Sequence, residues 1–183
     1  RAEAAVEAHD YAEAIELLGE IDGPFPGDSA ADLELRALLA ESWARMYIGE
    51  MRGALPLLSR AREIVEDPVF SDVDRAEVLF RLGCCRYRLT SVSTALALFT
   101  EALELAERSG IPCDRLRSRI FGWRSRCYRR QRDWEAALED VERALELAEA
   151  AADERRAADA LFQASLVAQR QGRWVLARTY AER

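Results

Sequence analysis

The spacing of five alanines is the feature of this 183-residue sequence that most limits its fold. Each alanine follows a large apolar residue by three positions, and successive alanines are 40, 41, 42 and 40 residues apart. The pairs are Tyr11 and Ala14, Met51 and Ala54, Val92 and Ala95, Trp134 and Ala137, and Trp174 and Ala177. A period near 41 residues indicates repeated units that are stabilised by stacking on their neighbours.

Two helices are predicted in each unit. Sixteen positions before the alanine lies an apolar residue, and a small residue follows that one by four positions. These apolar and small residues are Leu38 and Ser42, Leu79 and Gly83, Phe121 and Ser125, and Leu161 and Ser165. Spacings of three and four place residues on one helical face. Because antiparallel helices approach closely only where side chains are small, we expect each alanine to lie opposite the small residue of its unit.

The third unit, with Leu79, Leu82 and Gly83 followed by Ala95, Phe99 and Ala102, resembles the tetratricopeptide repeat. Segments 10–15 and 133–138 resemble the turn between that family's two helices. The resemblance covers essentially the whole chain and implies an all-α, right-handed superhelical solenoid of about five helix pairs. The family's common unit has about 34 residues, so these longer units resemble the variants in kinesin light chains and bacterial peptide-sensing regulators.

The pattern predicts the helix boundaries. First helices are expected over 29–48, 72–89, 113–131 and 153–171, with a stub at 1–8, and second helices over 11–21, 51–66, 92–109, 134–151 and 174–183. Ser71, Asp72 and Asp114 are candidate N-caps, Asp153 marks a boundary, and residues 22–27 form the longest predicted loop. Residues 1–183 are expected to form one domain with truncated end units, as a fragment of a longer multidomain protein.

The composition disfavours several classes of function. The 26 basic residues, all arginine, against 33 acidic ones give a net charge of −7, which disfavours a generally basic nucleic-acid binder. The absence of lysine favours a GC-rich bacterial genome. Four cysteines and one histidine without metal-ligand spacing predict no metal site. No catalytic motif is present, so we expect a non-enzyme without cofactor, reduced and cytoplasmic, with no membrane span.

Arginine is concentrated in the first helix of the fourth unit. Between 115 and 132 there are eight arginines and no acidic residue: Arg115, Arg117, Arg119, Arg124, Arg126, Arg129, Arg130 and Arg132. Four of them share one helical face with Trp123, namely Arg115, Arg119, Arg126 and Arg130. Like charges at this spacing repel each other, so the helix requires nearby acidic side chains or an anionic ligand.

The resemblance implies that the first helices line a concave groove. Groove candidates are the aromatic and arginine side chains predicted on that face: Trp43, Tyr47, Phe80, Arg81, Tyr87, Arg88, Arg119, Trp123, Arg126, Arg130, Phe162 and Arg170. Arginine binds carboxylates bidentately, and aromatic rings supply flat apolar contact. We therefore expect a protein or peptide partner with acidic and bulky apolar side chains, or with a free C-terminal carboxylate, bound by the sensor or assembly domain of a bacterial regulator.

Other interpretations remain open at this stage. The aromatic residues are also suited to packing between helices, and the arginines to ion pairs with neighbouring units. The segment 115–132 would contact phosphates and bases if the chain bound nucleic acid, although the net charge disfavours this. Trp174 and Tyr180, which nothing downstream is expected to cover, would support a homodimer.

Overall fold

The computed structural model describes residues 1–20, 25 and 29–183, which form ten helices and no strand. The first helices of the units are α1 (Ala2–Glu7), α3 (Ala30–Tyr47), α5 (Asp72–Arg88), α7 (Asp114–Gln131) and α9 (Glu154–Arg170). The second helices are α2 (Tyr11–Gly19), α4 (Met51–Ile64), α6 (Val92–Arg108), α8 (Trp134–Ala150) and α10 (Trp174–Glu182). The predicted all-α architecture is confirmed, with most helix ends within two residues of those expected. The predicted loop over 22–27 lies, except for residue 25, outside the described residues.

The turns between the two helices of a unit share one backbone device. A residue with positive φ stands just before each second helix, at His9, Gly49, Thr90, Arg132 and Gly172. The residue that follows occupies the N-cap position of the helix. In two of these turns its carboxylate accepts a hydrogen bond from a backbone amide of the first helical turn. Asp10 accepts from the Glu13 amide and Asp133 from the Ala136 amide.

Polar side chains also begin several first helices. Ser71 and Asp74 form a reciprocal capping box at α5, and the Asp153 carboxylate accepts from the Arg156 amide at α9. These contacts satisfy amides that have no partner within the helix. Asp72 and Asp114, also predicted as caps, are instead the first residues of their helices.

Small residues hold the helices of a unit together, as predicted. Ala54, Ala95 and Ala137 have no exposed surface, and the Ser165 hydroxyl donates to the Ala177 carbonyl on the facing helix at 3.0 Å. Units then stack in series, because each second helix also packs against the next first helix. The resulting core runs continuously through the middle units, from Leu35 to Ala160.

One expectation about the last helix is wrong. The sequence predicts an uncovered Tyr180, but this residue is 8% exposed and its hydroxyl donates to Glu142 of α8. Trp174, in contrast, is 69% exposed. Among the described helices, none combines the length and the apolar composition that a membrane span requires.

Candidate binding groove

The row of first helices is curved, and its curvature defines a groove. Helices α3, α5, α7 and α9 each contact the next in the row. The Arg119 guanidinium of α7 lies 4.5 Å from the ring centroid of Phe80 on α5 and 5.5 Å from that of Trp43 on α3. Because α5 lies between α3 and α7, a side chain of α7 reaches α3 only if the row bends toward this surface. We call this concave surface of α3, α5, α7 and α9 the groove.

Equivalent positions on the four helices place one residue each near the end of the groove. These positions are 41, 42 and 40 residues apart and hold Tyr47, Arg88, Arg130 and Arg170. All four side chains are exposed. The groove therefore carries one accessible aromatic ring and three accessible guanidinium groups along one edge.

Glu77 of α5 forms ion pairs with two of the predicted groove arginines. Its carboxylate accepts from Arg81 at 2.6 Å and from Arg119 at 3.2 Å. Burial alone would raise the pKa of Glu77, but the Arg119 and Arg81 guanidiniums hold that pKa below its usual range. Arg81 also donates to the Leu39 carbonyl at 2.7 Å. These contacts connect α3, α5 and α7 across the groove floor.

A second set of contacts joins α7 to α9. Arg126 lies 3.1 Å from Asp159, and Arg129 donates to the side-chain oxygen of Gln163. Burial lowers the pKa of Arg129, and the like charges of Arg126 and Arg170 lower it further, although Tyr87 opposes them. This end of the groove therefore carries more positive charge than its own acidic side chains neutralise.

Aromatic rings separate and support the guanidinium groups. Arg126 lies 4.7 Å from the Trp123 ring centroid and Arg88 lies 5.8 Å from it. Arg130 is 4.5 Å from the Tyr87 ring, which meets Trp123 edge to face at 5.7 Å. Cation–π contacts of this kind hold a cation in place without neutralising it, so Arg88 and Arg130, which have no ion pair in the described part of the chain, keep their charge and most of their donors.

Several arginines of the groove helices have no carboxylate within 4.0 Å among the residues that the structure describes. Arg88, Arg130, Arg156 and Arg170 are among them. Arg88 donates one hydrogen bond to the Met46 carbonyl at 2.9 Å and lies 5.3 Å from the Tyr47 ring. The other three make no side-chain hydrogen bond within the described part of the chain. They are the groups best able to bind an external anion.

The structure assigns the predicted groove residues to different environments. Trp43, Arg81, Tyr87, Arg88, Arg119, Trp123, Arg126 and Arg130 form one connected group across α3, α5 and α7, with Tyr47 at its edge. Phe80 is fully buried beneath Arg119, so it supports the groove instead of offering contact surface. Phe162 is 59% exposed, and it lies with Arg170 on α9, apart from that group.

The acidic partners and one arginine of the groove escaped prediction from the sequence. Glu77 and Asp159 stand at positions equivalent to Arg36 and Arg119, so charge alternates in sign from unit to unit along the groove. That alternation was a readable signal, because equivalent positions on adjacent first helices lie side by side. Arg156 gave no comparable signal.

The described residues provide no candidate metal site, and three of the cysteines are buried thiols. Within 1–20, 25 and 29–183, no group of three His, Cys, Asp or Glu side chains is placed to hold a metal ion. Cys84, Cys85 and Cys127 are buried and unpaired. Burial raises the pKa of Cys127 to about 12 and also raises that of Cys84, so these thiols are protonated at neutral pH.

Glu77 provides a test of the groove's internal ion pairs. Because its pKa is lowered on folding, its carboxylate stabilises the fold above a pH of about 4.3, and this contribution is lost as the pH falls through the folded-state pKa. We expect Glu77→Gln to lower the free energy of unfolding at pH 7 by about 2 kcal/mol. The difference from the unchanged chain should shrink below a pH of about 4.

Urea denaturation measured from pH 7 down to pH 3 checks this expectation. Glu146→Gln serves as the control, because Glu146 pairs with Arg143 on the exposed surface of α8. That variant should change stability by less than about 0.5 kcal/mol. A Glu77→Gln cost that stays constant across the pH range would contradict the proposed role of the ionised carboxylate.

Comparison with solved structures identifies the fold. The apo form of RapI superposes with a TM-score of 0.73 at 19% identity, over 98% of this chain and 61% of that one. A chain of the APC/C hetero-tetramer Cut9-Hcn1 gives a TM-score of 0.75 at 18% identity over 98% of this chain, which spans 30% of the matched chain.

A third solved structure matches along most of both chains. It is the Podosopora anserina putative kinesin light chain with nearly identical TPR-like repeats, with a TM-score of 0.65 and 15% identity. The match covers 99% of this chain and 88% of that one. No family model and no curated protein matches the sequence itself. The chain is a helical solenoid with the tetratricopeptide-repeat-like fold.

Proposed function

We propose that this chain is a protein–protein interaction scaffold whose groove binds a partner segment with acidic and bulky apolar side chains. The observation that carries the proposal is the set of groove arginines without a carboxylate partner in the described structure, Arg88, Arg130, Arg156 and Arg170. Tyr47 and Phe162, 42% and 59% exposed, lie on the same row of helices and supply apolar contact. Acidic side chains of a ligand would complete this arrangement.

The energetics favour a moderate affinity. A hydrogen bond to a charged group contributes about 1.5–3 kcal/mol net, so four such contacts supply about 6–12 kcal/mol, a range that includes the roughly 8 kcal/mol of a micromolar complex. Ordering a flexible peptide offsets much of that gain. Arg88 and Arg130 are already held by aromatic rings, which reduces the entropy lost when they bind.

The comparisons support a role in assembly. One of the matched structures is a hetero-tetramer of Cut9 with Hcn1, which is an assembly of different proteins. We extend the proposal to a sensor or assembly domain of a bacterial regulatory protein in the cytoplasm. This chain would then transmit the presence of its partner to the rest of such a protein.

Nucleic-acid binding through residues 115–132 has less support. Five of the eight arginines in this segment already bind acidic or amide side chains: Arg117, Arg119, Arg124, Arg126 and Arg129. They do not form a continuous row free to contact phosphates. The exposed Trp174 is the candidate surface for a homodimer.

A peptide-display selection tests the proposal. A library of random peptides of about a dozen residues, selected on the purified chain, should become enriched in Asp and Glu together with apolar residues. The double variant Arg88→Ala, Arg130→Ala should bind the selected peptides at least tenfold more weakly, as measured by fluorescence anisotropy. This corresponds to a loss of about 1.4 kcal/mol or more.

The matched control removes two exposed arginines from second helices, with Arg52→Ala and Arg178→Ala changing the net charge equally. It should retain the affinity of the unchanged chain. Failure to enrich acidic peptides, or an equal loss in both double variants, would refute the groove as the binding surface.

A further inference from the structure

The groove contains a notch where one side chain is missing. Gly122 of α7 occupies the position equivalent to Leu39, Phe80 and Phe162, where the other first helices carry bulky apolar residues. A Cβ atom at Gly122 would meet no atom within 4 Å. The open space forms a notch between α7 and α9, walled mainly by Ser118, Arg119, Trp123, Arg156, Asp159 and Gln163.

The oxygen atoms around this notch already take part in hydrogen bonds. Asp159 accepts from Arg126, and the side-chain oxygen of Gln163 accepts from Arg129. The Ser118 hydroxyl donates to the Ala144 carbonyl at 2.8 Å. An incoming acceptor, in contrast, meets N–H groups that have no partner in the described part of the chain.

Those free N–H groups belong to two arginines. The Nε atom of Arg119 is buried and has no hydrogen-bond partner among the described residues. Arg156 is half-buried, and burial together with the like charge of Arg119 lowers its pKa, although Asp153 and Asp159 oppose this. A buried donor without a partner, such as the Arg119 Nε, is rare in folded proteins, and both Arg119 and Arg156 line the notch.

The size of the notch limits what can enter. Its base has room for a single group about the size of one water molecule. One carboxylate oxygen fits such a space, whereas an aromatic ring is too large to enter. Size, free donors and positive charge all favour the same kind of occupant.

We propose that the notch at Gly122 is the subsite for one Asp or Glu side chain of the bound segment, with Arg156 as its counter-charge and Arg119 as a second donor. This inference rests on the proposed function and locates one point of recognition within it. Gly122 is thus a specificity-determining residue, because the absence of its side chain admits the ligand's carboxylate.

Two substitutions that preserve the helix test the notch. Gly122→Ala and Gly122→Leu replace glycine in a helix interior by better helix formers, so neither should lower the denaturant midpoint of unfolding. Gly122→Leu fills the notch and should weaken binding of an acidic peptide selected on the unchanged chain at least tenfold. Gly19→Ala is the control, since its Cβ also meets open space, on α2, and should leave binding unchanged.

A coupling measurement identifies the carboxylate. Each acidic residue of the selected peptide is changed in turn to its amide, and binding is measured to the unchanged chain and to Arg156→Gln. One peptide position should lose at least tenfold against the unchanged chain and little against Arg156→Gln, because the two changes remove the same contact.

The outcomes separate the two proposals. If no acidic peptide is selected on the unchanged chain, both the proposed function and the notch are refuted. If acidic peptides are selected but Gly122→Leu binds them equally well, the groove function stands and the notch is refuted. The notch is also refuted if Gly122→Leu weakens binding but no acidic peptide position is coupled to Arg156.

Discussion

Replacing Asp140 by alanine should lower the free energy of unfolding by about 3 kcal/mol. Arg124 of α7 donates two hydrogen bonds to this carboxylate on α8, at 2.8 and 2.7 Å, and Asp140 is 4% exposed. Burial alone would lower the pKa of Arg124, but the hydrogen bonds from Arg124 to Asp140 outweigh it, and the pKa is raised. Without Asp140, the guanidinium stays largely buried between Phe121 and Tyr128 with no anionic partner.

Urea unfolding followed by circular dichroism measures this loss. Glu146→Ala removes a carboxylate from an exposed ion pair on the same helix and should cost less than about 0.5 kcal/mol. The double variant Arg124→Met, Asp140→Leu should recover most of the stability, because it removes both charges together. A loss below about 1 kcal/mol for Asp140→Ala would show that water reaches and solvates Arg124.

The spacing of small residues was enough to predict two packed helices in each unit, and the resemblance to the tetratricopeptide repeat supplied the solenoid. Gly83 marks the point where α5 approaches α6, because a Cβ there would come within 2.5 Å of the Phe99 ring, and Ala95 of α6 is fully buried. The backbone conformation of the turns was harder to predict from the sequence, since the residue with positive φ before the second helix is glycine only at Gly49 and Gly172. His9, Thr90 and Arg132 adopt the same conformation without a recognisable signal, because the packing of the two helices imposes it.

The groove could be predicted only in part. The periodicity places an arginine such as Arg119 on the correct helix face, but it does not say which groups neutralise it. The partner of Arg119 is Glu77, 42 residues earlier, and their contact depends on the angle between adjacent units. The notch at Gly122 escaped notice because a missing side chain has meaning only once the neighbouring surfaces are known.

A still larger effect is expected from Phe99→Ala, which should lower the free energy of unfolding by about 4 kcal/mol. Phe99 of α6 is fully buried, and its ring lies 6.0 Å from that of Phe80. The same ring fills the space over Gly83, where a Cβ would come within 2.5 Å of it. Truncation removes this apolar contact and leaves a cavity that the stacked helices cannot fully close.

Phe162→Ala is the matched control, because that ring is 59% exposed on α9 and its loss should cost less than about 0.5 kcal/mol.

Gly83→Ala should itself cost about 1–3 kcal/mol by overpacking against Phe99. In a Phe99→Leu background the cost of Gly83→Ala should fall, since the two substitutions share one volume and are not additive. Additive losses would mean that α5 and α6 separate freely at this crossing, contrary to the close approach that the repeat spacing imposes.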